Sequence, residues 1–188
     1  MNIPWLAIFY YNHKDMEKSL LVIVDYQVDF VSGTLGFPLA SSFEDKIINL
    51  IKEKEKEGYT IVFTKDIHDG NYLETEEGKN LPIPHCIRNT PGSEIYGKLN
   101  GISKSYKIFE KETFGSYSLA RYMHEENFTN IELCGIDTSI CVLSNAILAK
   151  SSCPNARVSV ISSCSGSGDK NASEIAYKAL ERVHIHKI

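Results

Sequence analysis

The sequence predicts a three-layer α/β/α domain with a doubly wound, mainly parallel sheet of six strands. Short β-branched or aliphatic runs alternate with longer segments whose apolar residues have helical spacing, which is typical of a parallel sheet covered by helices on both faces. The six runs are LLVIVDY (20–26), TIVFTKD (60–66), YKIFEK (106–111), IELCGI (131–136), RVSVISS (157–163) and RVHIHKI (182–188). At 188 residues the chain is long enough to bury one core without disulfides or a structural metal.

Four segments between the strands have the character of helices. Residues 43–58 carry isoleucines at helical spacing and end at Gly58, a favourable C-terminal stop. The other three helical segments are residues 115–127, 139–151 and 169–181. Residues 67–105 differ, because they are rich in Gly, Pro and polar residues. We expect this segment to be a long loop with a functional role.

No linker, internal repeat or low-complexity tract divides the chain. We therefore predict a single domain over residues 16–188. Met16 leads directly into the first strong strand. This position suggests that residues 1–15 are an N-terminal extension outside the fold.

Composition limits the classes of partner. The formal net charge of -4 provides no positive field for nucleic acid or an anionic membrane surface. The apolar stretch PWLAIFYY is too short to cross a bilayer and lacks the preceding basic residues of a signal peptide. The five cysteines show no C-x-x-C spacing and suggest reduced thiols. We expect a cytoplasmic homo-oligomer that acts on a small molecule, with no nucleic-acid or membrane partner.

Polar residues at the ends of the predicted strands form a candidate catalytic set. Ligands bind beyond the carboxyl ends of parallel strands, where Asp25, Lys111 and Cys141 are expected. A cation and a helix N-terminus favour a Cys141 thiolate, and Asp25 could exchange a proton with it. Each residue alone also has an ordinary interpretation, as a capping aspartate, a surface lysine or a core cysteine. Their placement at successive strand ends favours the catalytic interpretation.

A second candidate set consists of Asp66, His68 and His85. One carboxylate and two imidazoles suit zinc, manganese or iron, with water at the open positions. The alternative is a group of hydrogen-bonding loop residues that holds no metal.

Four patches together resemble the isochorismatase-like cysteine hydrolases, and among them the nicotinamidases and related amidases. They are VIVDYQVDF, TKDIH followed by PHC, FEKETFGS and CGIDTSICV, and the resemblance extends from Ser19 to the C-terminus. It implies an amidohydrolase of NAD salvage that releases ammonia from nicotinamide or a similar small aromatic amide. It also implies a thioester on Cys141, with Asp25 and Lys111 completing a triad.

The resemblance further implies an oxyanion hole formed by the backbone amides of Asp137 and Cys141. A cis peptide between Ile136 and Asp137 would turn these donors towards the oxyanion. Relatives generally carry a small neutral residue where this chain has Asp137. We expect its carboxylate to point away from the oxyanion, since it would otherwise repel the developing charge.

The same resemblance assigns Asp66, His68 and His85 to a divalent metal, with zinc preferred and manganese or iron as alternatives. This metal would receive the ring nitrogen of the substrate.

The substrate contacts follow the resemblance less closely. Phe30 matches one aromatic wall around the substrate ring, whereas Pro82 stands where a second wall is often Trp. Tyr72 is our candidate for the missing wall, and strand-end Gln27 is a further candidate substrate contact. Two alternatives remain: hydrolysis of another small amide or carbamoyl compound, and a catalytically silent binding protein on the same fold.

Overall fold

The computed structural model describes residues 17–188 and contains one six-stranded sheet in which all neighbouring strands are parallel. The strands are β1 Ser19–Val24, β2 Thr60–Asp66, β3 Lys107–Lys111, β4 Asn130–Ile136, β5 Arg157–Gly166 and β6 Ile185–Lys187. Their order across the sheet is β3-β2-β1-β4-β5-β6. The predicted fold class and the six strands are confirmed. The predicted extension over residues 1–15 lies outside the described residues.

Seven α-helices occur within residues 17–188. They are α1 Val28–Val31, α2 Glu44–Lys56, α3 Glu76–Asn80, α4 Gly97–Ser103, α5 Tyr117–Glu126, α6 Leu143–Ser152 and α7 Lys170–Arg182. Single 3₁₀ turns lie at Ala40–Phe43, Tyr72–Glu74 and Pro91–Ser93, and a π-helical turn at Thr138–Val142 leads into α6. The four helices predicted from the sequence correspond to α2, α5, α6 and α7.

Local chemistry explains where these helices begin and end. Gly58 follows α2 with a φ of 81°, a left-handed conformation that glycine adopts without steric cost. Asp169 precedes α7, and its Oδ1 accepts hydrogen bonds from the backbone nitrogens of Asn171 and Ala172. These bonds satisfy amide groups that have no partner within the helix.

The sheet separates two apolar layers. Leu20, Val22 and Val24 of β1 pack with α5, α6 and α7, whereas Leu21 and Ile23 pack with α1, α2 and α4. All five residues are fully buried. Since both faces of the strand are covered, β1 is a continuous apolar run rather than an alternating one.

Residues 67–105 are more regular than the loop that we predicted. They contain α3, α4 and two 3₁₀ turns, and Leu99 of α4 is completely buried in the core. These helices have five and seven residues, which is too short to give a clear apolar period in the sequence. The last strand is also shorter than predicted, because α7 extends to Arg182.

The strand order reverses between β1 and β4. From this point β2 and β3 extend to one side, whereas β5 and β6 extend to the other. The connecting helices change face at the same place, which leaves a crevice at the carboxyl ends of β1 and β4. The fold therefore puts Asp25, directly after β1, next to the turn that follows β4 and carries Cys141.

Within residues 17–188, no helix combines the length and the apolar character that crossing a membrane requires. All five cysteines are free thiols.

Candidate active site

Asp25, Lys111 and Cys141 meet in the crevice at the strand ends. Lys111 Nζ lies 2.7 Å from Asp25 Oδ2 and 3.8 Å from Cys141 Sγ. The Thr64 hydroxyl donates a hydrogen bond of 2.6 Å to Asp25 Oδ1. All three members of the set are buried. The structure thus brings together the three side chains that the sequence places at separate strand ends.

Burial controls the protonation of these groups. It raises the pKa of the Cys141 thiol well above its ordinary value, and Lys111 only partly opposes the rise. Burial also raises the pKa of Asp25, again against the effect of Lys111. For Lys111, burial lowers the pKa, but the electrostatic interactions with Asp25 and Cys141 outweigh this effect and raise the pKa. Burial thus favours the neutral form of the Cys141 thiol, whereas the sequence alone favoured a thiolate.

Asp66 connects this triad to the second candidate set. Its Oδ1 lies 3.2 Å from Lys111 Nζ. Its Oδ2 lies 3.0 Å from His68 Nε2 and 3.4 Å from His85 Nε2. Burial would raise the pKa of Asp66, but the hydrogen bonds with both histidines outweigh it and hold the pKa well below its usual range. Asp66 is a member of the second set and also contacts Lys111 of the triad, so one carboxylate connects the two sets that the sequence predicted separately.

Glu77 joins the second set and was missed from the sequence. Its Oε1 lies 3.8 Å from His68 Nε2 and 3.6 Å from His85 Nε2. The ligand atoms of Asp66, His68, Glu77 and His85 all lie within 4.8 Å of one another. The available signal was the acidic pair in ETEEG, within the segment that we expected to be functional. Helix α3, which presents Glu77, is too short to be recognised by its period.

These four residues fit a divalent cation. His85 Nδ1 lies 2.8 Å from Ile83 O, and donation of its proton there leaves the Nε2 lone pair facing the cluster. Glu77 Oε2 is buried without a hydrogen-bond partner among residues 17–188. Two carboxylates and two imidazoles so close together carry an electrostatic cost that a bound cation would offset.

Tyr72 lies beneath the two imidazoles. Its ring centroid is 4.8 Å from that of His68 and 5.0 Å from that of His85, and the side chain is 1% exposed. Its hydroxyl donates to Leu81 O at 2.8 Å, and burial raises its pKa to about 12. A residue so enclosed has no free ring face for a substrate. The geometry therefore favours a supporting role over the substrate contact that we predicted.

Gln27 is likewise committed to the protein. Its Nε2 donates to Asp66 O at 2.8 Å and to Ser93 O at 2.9 Å, and its Oε1 accepts from the Asp66 nitrogen at 2.7 Å. The residue is fully buried. These bonds fix the backbone of Asp66, so positioning of Asp66 is a better interpretation of Gln27 than direct substrate binding.

Phe30 occupies a position suited to the predicted wall. Its ring centroid lies 5.5 Å from that of His85. Phe30 also lines a cavity of about 390 Å³ that reaches the turn after β4, where Asp137 and Ile140 contribute to the lining. Leu81, the neighbour of Pro82, belongs to the same lining. The cavity therefore connects Phe30, the neighbour of His85, with the turn that bears Cys141.

The turn after β4 has the backbone that the resemblance implies, with a cis peptide between Ile136 and Asp137. Asp137 Oδ1 accepts hydrogen bonds of 2.6 Å from both the backbone nitrogen and the hydroxyl of Ser139. Its backbone oxygen accepts from the nitrogen of Val142 at 2.9 Å. The use of the Asp137 and Cys141 amides as oxyanion donors stays a prediction.

The family described as the Isochorismatase domain matches residues 19–186. The chain belongs to the isochorismatase family. This confirms the resemblance inferred from the four sequence patches, and the matched range lies within the predicted domain of residues 16–188.

Several members of the isochorismatase family show the extent of the likeness. The isochorismatase family protein PncA of Bacillus subtilis is 31% identical, over 69% of this chain and 77% of its own length. The nicotinamidase of Schizosaccharomyces pombe is 26% identical, over 69% of this chain and 76% of its own length. The pyrazinamidase of Pyrococcus horikoshii, solved in complex with zinc, superposes with a TM-score of 0.79 at 25% identity. That match covers 91% of this chain and 98% of the other.

Proposed function

We propose that this protein is a cysteine-dependent amidohydrolase that releases ammonia from nicotinamide or a similar small aromatic amide. The observation that carries the proposal is the buried contact of Lys111 with both Asp25, at 2.7 Å, and Cys141, at 3.8 Å. A carboxylate, a cation and a thiol at one strand-end crevice form a set suited to nucleophilic acyl transfer. The nicotinamidase and pyrazinamidase among the similar proteins support an amide as the substrate.

The acylation step uses the protonation states of the resting site. Lys111 Nζ contacts both groups that take part in this step, at 2.7 Å from Asp25 Oδ2 and 3.8 Å from Cys141 Sγ. As Sγ attacks the amide carbon, Asp25 takes the thiol proton and Lys111 stabilises the developing thiolate. Asp25 then delivers this proton to the departing nitrogen. Ammonia leaves, and Cys141 carries the acyl group as a thioester.

The deacylation step runs in the same site with water as the nucleophile. Asp25 accepts a proton from the water as its oxygen attacks the thioester carbon. The thiolate leaves and recovers a proton from Asp25, which releases the carboxylic acid product. In both steps we assign the backbone amides of Asp137 and Cys141 to the oxyanion, where such donors contribute a few kcal/mol, on the order of 3, of barrier reduction.

Asp66, His68 and His85 would hold a divalent ion, and we add Glu77 as a fourth ligand. Zinc is our first assignment, with manganese and iron as alternatives, because a zinc complex exists for the Pyrococcus pyrazinamidase. When bound, the ion supplies a Lewis-acid position for a ring nitrogen of the substrate. Asp66 and Gln27 would orient the ligand set, and Phe30 would cover one face of the ring.

The test is ammonia release from nicotinamide by metal-replete protein, with Cys141→Ser as the matched control. We expect turnover by the unmodified protein and none by the variant. A parallel panel of aliphatic amides and carbamoyl compounds tests the alternative hydrolase activity. Ammonia release from those compounds but not from nicotinamide would show that the protein hydrolyses another small amide or a carbamoyl compound. If no compound is hydrolysed and a thiol reagent shows no preference for Cys141, the silent binding protein is the correct interpretation.

A further inference from the structure

We propose that the Asp137 carboxylate makes the substrate cavity reject carboxylates, so that the acid product binds more weakly than the neutral amide from which it forms. The inference rests on the proposed function, because amide hydrolysis is the reaction that converts a neutral ligand into an anion at this place. It gives a role to the aspartate that stands in the turn between β4 and Cys141.

The cavity that Asp137 lines has negative walls. Its lining residues include two ionisable side chains, Asp137 and Asp169, and no lysine or arginine. Asp169 caps α7, with its Oδ1 2.8 Å from the backbone nitrogen of Asn171. Asp137 is half-buried. A ligand in this cavity therefore meets carboxylates without a lysine or arginine in the lining to offset them.

Asp137 is held by several hydrogen bonds in the turn that bears Cys141. Ser139 donates two hydrogen bonds of 2.6 Å to its Oδ1. The backbone oxygen of Asp137 accepts from the nitrogens of Ile140 at 3.2 Å and Val142 at 2.9 Å, on either side of Cys141. Among residues 17–188, hydrogen bonds reach Oδ1 but not Oδ2. The negative charge is thus fixed in the turn that carries Cys141 and at the wall of the cavity.

The nearby cation does not cancel this charge. Lys111 Nζ lies 2.7 Å from Asp25 and 3.2 Å from Asp66, so two carboxylates already share it. The candidate metal ligands include the carboxylates of Asp66 and Glu77, which would offset a divalent ion. A product carboxylate would add a further negative charge to a site whose positive charges are already balanced.

This arrangement favours turnover through release of the product. The amide enters without charge and is not repelled, whereas the acid leaves as an anion. The benefit therefore lies in product release and not in the chemical step.

Binding of nicotinamide and nicotinate, which differ in charge but hardly in shape, tests the inference. Both dissociation constants are measured by calorimetry on metal-replete Cys141→Ala protein, which cannot turn over the amide. The quantity compared is the dissociation constant of nicotinate divided by that of nicotinamide. We expect Asp137→Asn to lower this ratio by about tenfold, because the variant removes a repulsion between two negative charges in a partly hydrated site. Asp137→Glu, which keeps the charge, should preserve the ratio.

Two controls separate charge from structure. Asp45→Asn removes an exposed carboxylate, paired with Lys98 at 3.0 Å, and changes the net charge equally. Ser139→Ala removes one bond to Asp137 but keeps the charge. Neither should change the ratio. An altered ratio in Ser139→Ala equal to that in Asp137→Asn would show that turn geometry, not charge, is responsible, and would overturn the inference.

The remaining outcomes decide between the two proposals. A ratio in Asp137→Asn within about threefold of the parent, or an equal change in Asp45→Asn, overturns the role of Asp137. If the ratio responds as expected but protein with Cys141 intact releases no ammonia, the proposed function fails while the electrostatic role stands. If neither ligand binds to the parent, both proposals are wrong.

Discussion

Removal of the Lys111 charge is the most direct test of the triad. In Lys111→Met the aliphatic stem is retained, but the ammonium that lies 3.8 Å from Cys141 Sγ and 2.7 Å from Asp25 Oδ2 is lost. Lys111 stabilises a thiolate and opposes the rise that burial causes in the pKa of Cys141. We therefore expect this pKa to rise further in the variant.

The distance sets the size of the effect. Two unit charges 3.8 Å apart interact by about 4 kcal/mol at the effective dielectric constant near 20 that suits protein sites. This corresponds to an increase of up to about three units in the pKa of Cys141 and to a fall in amide turnover of about a thousandfold. Loss of one partner from a buried ion pair also lowers the free energy of unfolding by about 3 kcal/mol, less where Asp25 takes up a proton.

Three measurements report the charge effect, the chemistry and the stability separately. The rate of Cys141 alkylation as a function of pH reports the thiol pKa, with Cys141→Ser as the background for the four other thiols. Ammonia release reports turnover, and urea unfolding reports stability. Lys65→Met is the matched control, because Lys65 lies on the same sheet and pairs with Glu94 at 3.6 Å. Lys65→Met should leave the pKa of Cys141 unchanged and should change turnover by no more than about twofold.

The triad assignment is wrong if Lys111→Met keeps the alkylation profile and the turnover of the parent protein. A variant that loses stability but keeps both other properties would show Lys111 to be a structural residue. A loss of turnover without a change in the thiol pKa would place Lys111 at the substrate and not at the nucleophile.

Three further substitutions test the rest of the site. Cys141→Ala should abolish ammonia release without changing the circular dichroism spectrum, whereas Cys164→Ala should keep most activity. Appreciable turnover by Cys141→Ala would refute the assignment of Cys141 as the nucleophile. His85→Ala should weaken metal binding by about tenfold to a hundredfold in elemental analysis and metal titration. The control His186→Ala, at an exposed position, should not weaken it. Full activity in a chelator would contradict a metal role. Gln27→Met should lower the free energy of unfolding by about 3 kcal/mol, because three buried hydrogen bonds are lost, and should weaken metal affinity. Unchanged urea unfolding and metal titration would show that Gln27 does not position Asp66.

Much of the fold could be predicted from the sequence because buried parallel strands have a recognisable local pattern of apolar residues. β1 is buried on both faces, so its residues 20–24 form an apolar run that no half-exposed strand would show. The long helices α2 and α7 have enough residues to display a period of 3.6. Helices α3 and α4 do not, and residues 67–105 therefore looked like a loop although they carry Glu77 and the buried Leu99.

The sequence by itself determined which chemical groups this protein has at its strand ends. Asp25 and Cys141 follow β1 and β4, and Lys111 ends β3. Because parallel strands end at one edge, the proximity of the three residues could be inferred from the sequence. Only the tertiary structure decided how these groups behave, because pKa values, metal geometry and cavity walls depend on distances between segments remote in the chain. Burial raises the pKa of Cys141, packing turns Gln27 and Tyr72 towards the protein, and α3 brings Glu77 to His68 and His85.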